Sequence, residues 1–199
     1  MLTVCNLSER KAWMMRDFFS RDYQLFFAYG SNMNEGQIHS RCQKPEVFAL
    51  ARLPDHEVSF FGYSARWDGG EATVTSRPGQ EVWGVVYKLS FADAERLDSW
   101  QGVRLDGSGP YFHFPTEVTD ARGATYPVLL YKKDILNAGQ RPSAEYLGHI
   151  VQGALSHGLP KAYVEHLRKT QTIAAGYPVP REPNFDPSSL AQNCECGKP

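Results

Sequence analysis

The sequence predicts an α+β domain built on a small, mixed, mostly antiparallel β-barrel with flanking helices. Three observations carry this. Short runs of alternating apolar residues recur at hairpin spacing, single helical patterns interrupt them, and regular strand–helix–strand alternation is absent.

The elements follow in order. Residues 8–21 read as a helix, with Ser8 as cap and Trp13, Met14, Phe18 and Phe19 near helical spacing. Residues 23–29 form a first strand, and a short helix is expected after Asn34 with Ile38 and Cys42 on one side. Strand candidates lie at 46–53, 58–64, 71–76 and 81–89, the last two read as a hairpin across Pro78-Gly79. The run "SFADAERLDSWQG" predicts a helix capped by Ser90 with Asp93 three residues on, closed by Gly102, with Phe91, Ala94, Leu97 and Trp100 facing the core. A hairpin of 111–119 and 124–131 is joined by "DARGA". Helices over Ser143–His157 and 161–170 follow, with Pro160 opening the second. The expected organisation is an N-terminal helical extension (1–22), one domain (23–175) and a proline-rich extended tail (176–199).

The chain has 199 residues, a net charge of −1 and a pI near 6.6, which give no electrostatic footprint for nucleic acid. No 18-residue apolar run predicts a membrane span, and the N-terminus lacks the order of charge and apolarity of a signal peptide. Cys5, Cys42, Cys194 and Cys196 form no disulfide framework, so a cytoplasmic protein is expected, and the expected assembly is a monomer or homodimer. The histidines show no metal-ligand spacing, and no metal site is predicted.

The stretch "FAYGSN", residues 27–32, ends the first strand on a glycine, a hydroxyl and an amide. Glycine lets a ligand approach the main chain, and Ser31 and Asn32 add short polar groups and consecutive backbone N–H donors. The same residues equally suit a simple helix cap. In "ARWDGGEATV", Arg66, Trp67 and Asp68 suit either a loop reaching over a pocket or a surface turn.

"FAYGSN", then "EVWGVVYKL", a helix ending in "LDSWQGV", and "GPYFHFPTEV" resemble, in this order, the γ-glutamylcyclotransferase (AIG2-like) family. "ALARLPDHEVSF", "GGEATV" and "PSAEY…GLP" extend the match over residues 26–169. The resemblance implies a small mixed barrel with one pocket, no metal and no cofactor, and a small-molecule γ-glutamyl substrate. The substrate's α-amine would attack its own γ-carbonyl, releasing 5-oxoproline and an amine or amino acid. Tyr29, Gly30, Ser31, Asn32 and Met33 would cradle the glutamyl head group, with Tyr111 and Tyr146 lining the pocket.

The family's proton carrier is a glutamate before a glycine, in the pattern Leu-Asp-x-x-Glu-Gly. Here that place reads Leu97-Asp98-Ser99-Trp100-Gln101-Gly102. Gln101 matches glutamate in shape and takes no proton near neutral pH, so the chain as given is expected to be an inactive variant. The alternatives are a non-catalytic binder of γ-glutamyl metabolites, or a tailoring cyclotransferase with a relocated carboxylate base, for which Asp98 and Glu35 are candidates.

Overall fold

A computed structural model describes residues 22–104, 106–134 and 139–181. The expected N-terminal helix and the cysteines at 5, 194 and 196 lie outside them. Five strands close a barrel in the order β1-β3-β2-β4-β5: β1 Gln24–Ala28, β2 Glu46–Ser64, β3 Gly69–Leu89, β4 Phe112–Asp120 and β5 Thr125–Lys132. All neighbours are antiparallel except β1 and β5, which run parallel with Phe26 opposite Leu129. Flanking it are α1 (Glu35–Arg41), α2 (Phe91–Gln101), α3 (Ala144–Ser156) and α4 (Lys161–Arg168). Among the described residues no helix is long and apolar enough to cross a membrane.

The strands 71–76 and 81–89 do not form a hairpin with each other. Both belong to β3 and pair with β2, Val58 opposite Val74 and Pro54 opposite Glu81, with an irregularity in register between Pro54 and His56. Gly79, at φ 77°, takes its N–H to the Asp55 carboxylate at 2.9 Å. Alternation establishes that a segment is a strand, but it does not say which neighbour it pairs with. The turn of the actual hairpin is 65–68, the stretch with two readings above.

The core includes Phe27, Leu53, Val74, Val82, Val85, Val118, Val128 and Leu130, each 1% exposed or less. On α2, Ala94 and Leu97 are buried as expected. Phe91 and Trp100 are not, at 41% and 40% exposure, because Phe91 opens the helix and Trp100 projects beside two arginines.

Asp93 has a second task beyond the helix cap. Its carboxylate accepts from the backbone N–H groups of Gln43 (2.7 Å) and Lys44 (3.1 Å), fastening α2 to the segment that leaves α1. Burial pushes the Asp93 carboxyl up, but those amides, Ser90 and Arg96 outweigh it and hold the group below the ordinary carboxylate range. The unfolded chain therefore takes up this proton first on acidification, so the stabilisation is complete near neutral pH and drains away as pH falls below about 4. Asp93→Asn is expected to destabilise the chain by about 2 kcal/mol at pH 7 and by clearly less at pH 3, read from urea midpoints.

Candidate active site

The strand β1 stops at Ala28 and Gly30 leads into one 3-10 turn, Ser31–Met33. The cap of α1 is Asn34, whose side chain accepts from Gln37 N–H. Ser31 and Asn32 are thus released from capping, and both are buried with their groups in a cross-linked cluster. Gln37 Nε2 donates to Ser31 Oγ at 2.7 Å and to Asn32 Oδ1 at 3.0 Å. Arg41 Nη1 donates to Asn32 Oδ1 at 2.7 Å and to Gln101 Oε1 at 3.2 Å. With its oxygen doubly engaged, Asn32 has its NH2 to offer a ligand.

Gly102 closes α2 in the left-handed region at φ 67°, its N–H and that of Val103 turning back to Ser99 and Asp98 carbonyls. This ends the helix with Gln101 beside Arg41. The two ends meet on a small cavity. Tyr29, Gly30, Ser31, Asn32, Gln101, Tyr111 and Tyr146 all line it, with Tyr131 and Ala72. Met33 does not. It is completely buried beneath α3, where its carbonyl meets His157 Nε2 at 3.0 Å, because the 3-10 turn swings its side chain into the core.

The tyrosines are fixed by backbone. Tyr111 OH donates to Ala72 O at 2.8 Å, Tyr146 OH accepts from Ala72 N–H at 3.3 Å, and Tyr29 OH donates to Tyr131 O. Burial, foremost, lifts all three hydroxyls far above the ordinary tyrosine value, so they stay protonated. Trp67 stacks on Tyr146 at 4.5 Å, so the 65–68 turn does reach the site.

The cavity opens into a wider cleft, sharing Gln101 and Tyr111 with it. Arg41, Arg66, Glu71, Arg96 and Trp100 line the cleft, and the Arg41 and Arg66 guanidinium groups lie 5.4 and 5.3 Å from the Trp100 ring centre. Neither carboxylate proposed from sequence as a substitute base reaches cavity or cleft. Asp98 Oδ1 is held by Tyr131 OH and His113 Nε2, each at 2.7 Å, behind the Tyr131 ring. Glu35 is exposed in the first turn of α1. Gln37, Arg41 and Glu71 were not singled out from sequence. The i, i+4 spacing of Gln37 and Arg41, on a helix whose apolar side was already legible, is the signal that could have found two of them.

Mouse and human γ-glutamylcyclotransferases are each 35% identical to the chain over 148 residues, covering 72% of it and 77% of their own length. The chain belongs to the γ-glutamylcyclotransferase family. The AIG2-like family model matches residues 81–167. A solved γ-glutamyl cyclotransferase structure superimposes with a TM-score of 0.72 at 34% identity, covering 78% of this chain and 92% of that one. The closed mixed barrel is therefore the cyclotransferase fold.

Proposed function

We propose that the cavity holds a γ-glutamyl group and that the reaction of this scaffold is intramolecular aminolysis. The α-amine closes a five-membered lactam on its own γ-carbonyl, and 5-oxoproline leaves together with an amine or amino acid. The observation that carries the reading is the convergence of Ser31, Asn32 and Gln101 on one cavity through Arg41. The names of the mouse and human relatives support it.

The residues divide the work by their chemistry. Backbone N–H groups of the Gly30–Asn32 turn and the Asn32 amide bind the anionic glutamyl end or the carbonyl oxygen, where fixed dipoles need little reorganisation. Tyr146 accepts from Ala72 and keeps its own proton to donate. Gln101 closes the proton route at its position, since an amide neither takes nor gives a proton near pH 7. Gln101→Glu is expected to release 5-oxoproline from γ-glutamyl-alanine, followed by product chromatography. A folded Gln101→Glu chain that neither binds γ-glutamyl-alanine nor consumes it overturns the reading. The amide at 101 favours a second reading, a chain that binds such compounds without turning them over. Turnover by the unsubstituted chain separates the two.

A further inference from the structure

We propose that Glu71 is the proton carrier of this chain, doing from the rim of the cleft what Gln101 cannot do. The inference rests on the γ-glutamyl reading of the cavity. The reaction moves protons from the attacking nitrogen to the leaving one and needs a group that accepts and returns them. Among the described residues Glu71 is the only carboxylate lining either the cavity or the cleft it opens into. It shares the cleft with Gln101, Tyr111 and Arg41.

Its position is fixed. Glu71 sits on β3 opposite Phe61, and both backbone polar groups of the next residue, Ala72, are bonded to the cavity tyrosines Tyr111 and Tyr146. Lys133 Nζ lies 2.9 Å from Glu71 Oε2 with its side chain only 9% exposed, and it also sits 4.3 Å from the Tyr111 ring centre. The ammonium so placed holds the Glu71 carboxylate at the rim of the cleft. The charge of Glu71 reaches into the cavity, where after burial it helps lift the hydroxyls of Tyr111, Tyr146 and Tyr29. Gln101 meanwhile turns its oxygen to Arg41 and so offers a ligand its NH2, a poor partner for an ammonium.

The step balances without a co-reactant. The Glu71 carboxylate takes one proton from the substrate α-ammonium. The freed lone pair attacks the γ-carbonyl carbon, and the carbonyl π pair moves to oxygen. As the carbon–nitrogen bond to the leaving group breaks and the carbonyl reforms, the Glu71 carboxyl protonates the departing nitrogen. The lactam nitrogen then gives its extra proton to the restored carboxylate, which passes it to the released amine.

The test uses four full-length chains: unsubstituted, Glu71→Gln, Gln101→Glu, and the double variant. Each is assayed for 5-oxoproline from γ-glutamyl-alanine and for binding of 5-oxoproline. The unsubstituted chain should turn over. Glu71→Gln should lose at least ~100-fold in kcat while still binding 5-oxoproline, and the acid limb of its pH profile should disappear. In the Gln101→Glu background the same change should lose less than about 10-fold, because a second carboxylate is present. Equal rates with and without Glu71 overturn the inference. So does a loss that Gln101→Glu does not repair, which marks Glu71 as a structural partner of Lys133. A silent unsubstituted chain beside an active Gln101→Glu chain overturns this inference and leaves the γ-glutamyl reading standing. No release and no binding by any folded form overturns that reading itself.

Discussion

Gly153→Ala is expected to lose about 3 kcal/mol of stability and most affinity for γ-glutamyl ligands, although it exchanges glycine for the best helix former in the middle of α3. A β-carbon at 153 would stand 2.6 Å from Asn34 N, 2.7 Å from Met33 C and 2.9 Å from Met33 Cβ. Two of these are backbone atoms of the 3-10 turn and its exit, which no side-chain rotation can move away. Either α3 retreats or the turn shifts, and the turn carries Ser31 and Asn32. Gly148 supplies the control, because a β-carbon there meets nothing within 4 Å on the same helix. Gly148→Ala is therefore expected to gain between ~0.5 and ~1 kcal/mol from helix propensity alone. Urea midpoints of the two variants should move in opposite directions. Parallel movement would show that α3 does not press on the turn.

Arg41→Met is expected to weaken binding of 5-oxoproline by about 100-fold, and to reduce turnover of the Gln101→Glu form by at least as much. The guanidinium, 4% exposed, is the physical link between the two halves of the site, bonded to Asn32 Oδ1 and Gln101 Oε1. Two charge-assisted hydrogen bonds of ordinary strength are together worth roughly 3 kcal/mol, close to that factor. Arg41→Lys keeps the charge yet should restore little, since one ammonium on a flexible stem does not reproduce a planar fork. Calorimetric titration checks the affinity, and an unchanged value in Arg41→Met would show that Asn32 and Gln101 hold their places without the bridge. Asp93, whose carboxylate ties α2 to the segment that leaves α1, acts on stability and leaves the bridge intact, so the two variants should separate binding from folding.

Much of the architecture was legible because it is written in local chemistry. Ser90, Gly102 and Ser143 mark helix ends, and the observed helices stop within a residue or two of the places they name. The pattern after Asn34 foretold α1, and Ile38 within it and Cys42 at its C-cap are indeed buried. The pairing of β3 was not legible, since strands of one alternation fit several partners and only barrel closure chooses among them. The placement of Met33 was not legible either, because the 3-10 turn that diverts it depends on α3 lying overhead, at a separation of over a hundred residues.

By itself the sequence determined that a strand breaks into glycine, hydroxyl and amide and that a helix ends in Gln101. Those are properties of residue type and local spacing. Only the tertiary structure decided that Arg41 joins the two ends, that Asp98 is spent on His113 and Tyr131, and that Glu71 stands with Lys133 in the cleft. Contacts of this kind are set by how a barrel closes and which helices cover it, and residues 15 to 62 places apart in the chain become neighbours only then.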